Sequence, residues 1–253
     1  MARRLIVVRA VAIVPTYNEA ENIEAMITSI REHAPDAGIL IVDDNSPDGT
    51  GDLVEKMIES VHDLQLLRRT SKTGLGGAYR AGMRRAIDDG AEICIQIDAD
   101  FSHDPVMIPA LVSAVEHGAD LALGSRYVPG GITENWPRKR RALSRWSNRY
   151  ATGVLGLAVN DATAGYRAYS STALVELMDF ESVRTEGYGF QVEMTHRLVR
   201  AGGKIVEIPI TFRDRTKGQS KMSQGIIREG FVMVLALWIK DRSGRRERRH
   251  LGR

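Results

Sequence analysis

Ile93-Cys94-Ile95-Gln96-Ile97-Asp98-Ala99-Asp100-Phe101-Ser102-His103-Asp104-Pro105 is the stretch from which the fold is read. A short apolar run with β-branched residues is the pattern of a buried strand. It breaks off in Asp98 and Asp100, with His103 and Asp104 behind them, and Pro105 cannot continue a ladder. In an open α/β sheet, ligands bind just beyond the carboxyl ends of the strands. Two carboxylates one residue apart at such an end suit a hard divalent cation, which in turn holds a diphosphate. Taken alone, Asp-x-Asp reads equally well as a solvated loop with helix-capping aspartates. The rest of the chain has to decide.

Outward from this stretch the same arrangement recurs. Val11-Ala12-Ile13-Val14 reads as a strand leading into Pro15-Thr16-Tyr17-Asn18-Glu19, and Ile23, Met26, Ile27 and Ile30 then fall on one helical face. Ile39-Leu40-Ile41-Val42 is a second strand, again ending in acid at Asp43-Asp44-Asn45-Ser46 before a turn and a helix around residues 52–60. Leu64–Leu67 is a third strand, followed by a helix opened by Thr73-Gly74-Leu75-Gly76-Gly77. Alternating strands and helices predict an α/β fold, a mostly parallel sheet with helices on both faces. The polar strand ends then face one crevice, which favours a nucleotide-diphosphate site. The glycines at 74–77 fit either a close backbone approach to a ligand or a tight turn. No Gly-Lys-Ser/Thr follows them, and no dinucleotide fingerprint follows the first strand.

At 253 residues, 43% hydrophobic and 26% charged, the chain suits one large α/β domain or a domain with an extension. A net charge of +3 is too mild to argue for nucleic acid. The basic residues gather instead in 138–149 and after Lys240. The one cysteine, Cys94, lies in the apolar run and reads as a buried thiol, consistent with a reducing compartment. Near the start, Arg9 leaves only Leu5–Val8 as an uninterrupted apolar run, too short for a secretory h-region and read as a strand. Phe231–Ile239 falls well short of the ~20 apolar residues that a spanning helix needs. No membrane crossing is expected.

In the second half, Leu121–Gly124 reads as a strand with Ser125-Arg126-Tyr127 at its end, and Pro129–Asn135 as a glycine-containing loop. Trp136-Pro137 introduces a helix on which Arg140 and Ser144 share a face and Arg138, Arg141, Arg145 and Arg149 line a neighbouring one. That is a solvated basic face or a grip for phosphate. Asp161–Tyr169 reads as a polar loop, Gly187–Glu193 as the start of a helix, and Ile205–Ile210 as an outer strand with its proline at the edge. Phe212–Lys221 is a linker or a flap. Ile226–Ile239 is an apolar helix with a basic tail, fit to pack on the domain or to lie in a membrane interface.

Taken together, Pro15–Glu19, Asp43–Ser46, Gly74-Leu75-Gly76, Asp98-Ala99-Asp100 with His103 and Pro105, Gly124–Tyr127 and Gly189–Glu193 resemble the dolichol-phosphate (polyprenol-phosphate) mannose synthases. These are inverting family 2 glycosyltransferases with the GT-A fold. The resemblance runs in order from about Val11 to Lys221. It implies a GT-A catalytic domain over residues 1–211, a basic mobile loop over 212–225, and a membrane-interface or partner-contact segment over 226–253. The implied reaction moves mannose from GDP-mannose to polyprenol or dolichol phosphate, on the cytoplasmic face of a membrane. A membrane-anchoring protein is an alternative to direct lipid contact.

Carried over by residue, the resemblance implies that Pro15, Tyr17, Glu19, Asp43 and Asp44 hold the nucleoside. Asp98, Ala99 and Asp100 would line the diphosphate, with Asp98 and Asp100 binding Mg²⁺ or Mn²⁺. Some relatives supply a glutamine ligand where this chain has Ser102. Arg126, Arg140 and Ser144 would hold the lipid phosphate, and Arg213, Arg215 and Lys221 would close over the phosphates. Asp161, Gln191 and Glu193 would lie near the sugar. The nearest rival is a polyprenol-phosphate glucosyltransferase or another family 2 transferase using a UDP-sugar. A rival of another class is a non-catalytic lipid-phosphate-binding scaffold subunit.

Overall fold

A computed structural model describes residues 9–72, 74–185, 187–214 and 224–251. In chain order the elements begin with β1 (Ala10–Thr16), α1 (Ile23–His33), β2 (Gly38–Asp43), α2 (Thr50–Ile58), β3 (Leu64–Arg68), α3 (Leu75–Asp88) and β4 (Ile93–Gln96). A 3-10 turn at Pro105–Met107 leads to α4 (Ile108–Glu116) and β5 (Leu121–Ser125). There follow β6 (Ile132–Glu134), α5 (Arg138–Leu155), β7 (Arg167–Ser170), α6 (Gly187–Ala201), β8 (Ile205–Pro209), β9 (Thr211–Arg213) and α7 (Gln224–Leu251).

The main sheet has seven strands in the order β3-β2-β1-β4-β7-β5-β8, and only β7 runs against its neighbours. Its central strands read as unbroken apolar runs because helices cover both faces. On one face Ile23, Met26, Ile27 and Ile30 of α1 pack with Ile108 and Leu111 of α4 against Ala12, Val14, Ile39 and Ile41. On the other, Ala78, Tyr79 and Met83 of α3 meet Phe190, Met194 and Leu198 of α6 over Val11, Ile13, Leu40 and Val42. A third cluster joins α5, α6 and α7 through Ala151, Leu155, Val192 and Val234.

The β1–β4 ladder carries the first consequence for function. Its last link is the Ile97 amide donating to the Ile13 carbonyl at 3.3 Å. Two residues on, Pro15 faces the same side with no N–H to continue, while β1 and β2 stay paired as far as Thr16 and Asp43. The sheet therefore parts between β1 and β4, where strand order reverses, and that is where an α/β sheet opens a ligand crevice.

Several expected features take another form. Asp161–Tyr169 is not wholly loop, since β7 begins at Arg167 and lies antiparallel between β4 and β5. Pro129–Asn135 contains β6, which pairs with β9 in a small second sheet. The 211/212 boundary falls inside β9, so Arg213 stands in a strand. The C-terminal helix is longer than its apolar run. Arg215 and Lys221, with the Leu5–Val8 strand, lie outside the described residues. Cys94 is a buried free thiol, and burial pushes its pKa up to about 12. Among the described residues no helix is long and apolar enough to cross a membrane.

Candidate active site

Parallel strands bring the carboxyl ends of β1, β2, β4 and β5 to one edge of the sheet. At three of them the chain turns through a left-handed residue: Asn18 (φ 58°), Asn45 (φ 58°) and Phe101 (φ 57°). Asparagine tolerates that conformation, whereas a phenylalanine there is strained and held by its surroundings.

The β1 and β2 ends are cross-braced. Asp43 accepts from Thr16 Oγ1 at 2.9 Å and from the Ser46 amide at 3.0 Å. The Glu19 amide donates to Thr50 Oγ1, and the Glu19 carboxylate accepts from Asn22. Asp44 accepts from Arg69 Nη1 at 2.8 Å. Burial raises the Asp44 carboxyl above its ordinary value, and the Arg69 guanidinium offsets only part of that. Beside them the Lys72 ammonium sits 3.8 Å over the Tyr17 ring. Pro15, Tyr17, Glu19, Asp43 and Asp44 are thus gathered at one corner, with Arg69 and Lys72 added.

At the β4 end, Asp98 Oδ1 accepts from the Tyr79 hydroxyl at 2.9 Å, and its Oδ2 lies 3.8 Å from His103 Nδ1. The Asp98 side chain is 34% exposed. Asp100 is largely buried, like Ala99 before it, and one of its oxygens accepts from the Ser102 amide. Among the described residues no group of three or more His, Cys, Asp or Glu gathers for a metal. A pair of hard carboxylates fits Mg²⁺ or Mn²⁺ held jointly by protein and substrate phosphates, the usual way such ions are bound. His103 is enclosed between the Tyr166 and Phe212 rings, each 5.1 Å away, and neither ring nitrogen is hydrogen-bonded. Burial pushes its pKa down to about 4, so the imidazole is neutral near pH 7.

The β5 end supplies the cations. Arg126 Nε and Nη2 reach Asp161 Oδ2 and Oδ1, each at 2.8 Å, and the Arg126 amide also donates to Oδ2. Thr163 Oγ1 accepts a further bond from Nη2. Burial alone would raise the Asp161 carboxyl, but the Arg126 charge and hydrogen bonds hold it below its ordinary value. Asp161, expected near the sugar, is wholly buried beneath Arg126. Arg140 donates to Asp214 at 2.7 Å and lies 4.4 Å over the Trp136 ring, which also faces Arg126. Ser144 Oγ and the Tyr127 hydroxyl are 2.7 Å apart. Arg126 from the end of β5 and Arg140 and Ser144, one helical turn apart on α5, therefore meet around Trp136 and Tyr127.

Across the crevice, Gln191 is buried with neither amide atom hydrogen-bonded. Glu193 is committed to Thr185 and Arg197. Arg213 pairs with Glu134 and approaches Asp104, and its amide donates to the Ser102 carbonyl. Tyr79, Arg69 and Asp214 are site neighbours that sequence reasoning did not find, because each joins the site through a partner distant in the chain, and Trp136, read only as a helix start, faces Arg140 one helical turn on.

Residues 11–178 match the model of glycosyl transferase family 2. The chain is a family 2 glycosyltransferase. It is 46% identical over 226 residues to the undecaprenyl-phosphate mannosyltransferase of Micrococcus luteus, covering 89% of this chain and 92% of that one. It is 44% identical over 238 residues to the polyprenol monophosphomannose synthase of Mycolicibacterium smegmatis, covering 94% and 89%. Among solved structures, glucosyl-3-phosphoglycerate synthase from Mycobacterium tuberculosis superposes with a TM-score of 0.67 at 19% identity, covering 90% and 79%. A mannosyltransferase from Pyrobaculum calidifontis, in complex with GDP-Man and Mn²⁺, gives 0.61 at 20% identity, covering 92% and 64%. The fold of this glycosyltransferase is thus the GT-A-like, mostly parallel sheet of its neighbours.

Proposed function

We propose that this glycosyltransferase moves mannose from GDP-mannose to a polyprenyl (dolichyl-type) monophosphate, with inversion and with Mg²⁺ or Mn²⁺. The observation that carries the reading is the pairing of two sites at one sheet edge. A carboxylate pair stands at the end of β4, and two arginines with a serine hydroxyl stand at the end of β5. The high identity to two curated polyprenol-phosphate mannosyl enzymes supports it.

A phosphomonoester is already an anion near neutral pH, so the acceptor needs no strong general base. The demand is to hold one anion in line beside another. Asp161 and Thr163 take the Nε–H and Nη2–H edge of Arg126 and so fix the guanidinium in advance, and the incoming phosphate meets its Nη1 end. Arg140 exchanges its carboxylate partner, Asp214, for the incoming phosphate, and the Ser144 hydroxyl adds a donor. Gln191 offers an unpaired amide to a sugar hydroxyl. Glu193, already tied to Thr185 and Arg197, positions that wall and takes no proton. Asp98 and Asp100 would hold a divalent cation, which when bound would supply charge neutralisation to the leaving diphosphate. Arg215 and Lys221 are proposed to reach the same diphosphate from the segment after β9.

A peripheral position at the cytoplasmic face of a membrane fits the outer surface. On α5, Leu143 and Trp146 are exposed, the latter by 56%, among Arg138, Lys139, Arg145 and Arg149. Phe231 of α7 packs on Trp146 and Tyr150, and α7 exposes Val232, Leu235 and Ile239 beside Lys240 and Arg242. Apolar side chains ringed by cations suit an anionic lipid interface.

The test incubates the purified protein with polyprenyl phosphate in vesicles, Mg²⁺ and radiolabelled GDP-mannose, with UDP-glucose and GDP-glucose in parallel. EDTA-sensitive mannose in a mild-acid-labile lipid is the expected product. Label moving only from another donor overturns the donor. No lipid product from any donor, with lipid-phosphate binding retained, points to a binding subunit.

A further inference from the structure

Tyr79 touches the acidic pair, although nothing in the motifs points to it. Its ring is fully buried on α3 and stacks on Phe190 of α6, with centroids 6.3 Å apart and planes 8° apart. Its hydroxyl donates to Asp98 Oδ1 at 2.9 Å. The helix reaches this position because of a glycine. A Cβ at Gly82 would come within 2.5 Å of Ile13 Cγ2 and 2.9 Å of Val42 Cγ2, both on buried strand residues. Gly82 therefore lets α3 lie closer to β1 and β2 than a residue with a side chain would allow. Tyr79, three positions earlier, shares that inward face and reaches the turn after β4.

A buried phenol needs an acceptor for its O–H. Here the acceptor is a carboxylate, which makes the bond charge-assisted and directional. The other Asp98 oxygen lies toward His103, and a third of the side chain remains open to solvent. The carboxylate is thus constrained from the protein side and open toward the crevice.

We propose that Tyr79 is a positioning residue for the cation site. Its hydroxyl fixes the rotation of the Asp98 carboxylate, so a divalent cation meets one orientation and does not have to select it. The stack on Phe190 ties that orientation to α6, the helix that carries Gln191. The proposal rests on Asp98 and Asp100 being the cation ligands.

The test measures Mn²⁺ binding to the full chain with GDP present, by electron paramagnetic resonance titration, for the natural protein, Tyr79→Phe and Asp98→Asn. Tyr79→Phe keeps the ring and its stack and removes only the oxygen. The expected result is a rise of about tenfold or more in the Mn²⁺ dissociation constant, with the melting temperature held within a few degrees. Mn²⁺ affinity within twofold of the natural protein, while Asp98→Asn loses the ion, overturns the role of Tyr79 and leaves the ligand assignment standing. Unchanged Mn²⁺ binding in Asp98→Asn overturns the ligand assignment, and the role of Tyr79 with it.

Discussion

Replacing Asp161 by asparagine tests how the phosphate-gripping arginine is held. The Arg126 and Asp161 side chains are 6% and 0% exposed, and two of their hydrogen bonds measure 2.8 Å. Asparagine keeps the shape but removes the charge and sets an NH₂ against a guanidinium that has lost its counter-ion. Breaking a buried pair from one side costs roughly 3–5 kcal/mol. For a chain of this size that lowers the melting temperature by about 10 °C. The sign with pH follows from Asp161 titrating below its ordinary value in the folded state. The advantage of the natural protein is complete above about pH 4 and is lost as pH falls through that depressed value. Urea unfolding of both proteins from pH 7 to pH 3 measures this. A loss under about 1 kcal/mol at pH 7, or a gap that does not begin to narrow as pH falls below about 4, refutes the reasoning. The double variant Arg126→Met with Asp161→Leu adds a separation. A packed apolar pair recovers most of the stability, while transfer to the lipid phosphate stays lost.

Three further outcomes are expected. Asp98→Asn and Asp100→Asn each lower transfer by about 10²-fold or more, with circular dichroism and melting temperature held, and full activity in both contradicts their role. Asp214→Asn removes the carboxylate that occupies Arg140. A partly exposed pair of this kind is worth up to about 1 kcal/mol, so KM for the lipid phosphate falls up to about fivefold at constant kcat, and an unchanged or raised KM speaks against the exchange. Leu143→Ala with Trp146→Ala weakens sedimentation with anionic vesicles by about tenfold or more, whereas equal binding removes α5 from the lipid contact.

The first half of the chain was legible because its strands are buried on both faces and its helices on one, so each carries its own periodicity. The acidic strand ends were legible because Asp43-Asp44 and Asp98-Ala99-Asp100 are contiguous. The antiparallel β7 was hidden by Arg167, a charged residue in a four-residue strand. In the fold Arg167 is wholly buried, satisfied by the carbonyls of Ala162, Ala164 and Gln191 and the hydroxyls of Tyr169 and Thr195. Backbone carbonyls leave no trace in a sequence. The three-residue strands β6 and β9 are too short to show a period. The hidden parts of the site are pairings across the fold, with Tyr79 and Asp98 19 residues apart, Arg126 and Asp161 35 apart, and Arg140 and Asp214 74 apart. Motif reading finds neighbours in the chain and cannot find these.

The most direct measurement on the central claim is the anomeric configuration of the lipid product formed from GDP-α-mannose, read by NMR on the purified glycolipid. A single displacement by a lipid phosphate held at Arg126, Arg140 and Ser144 is expected to give a β-linked mannosyl phosphate alone. An α-linked product, or no mannose on the lipid phosphate, contradicts it.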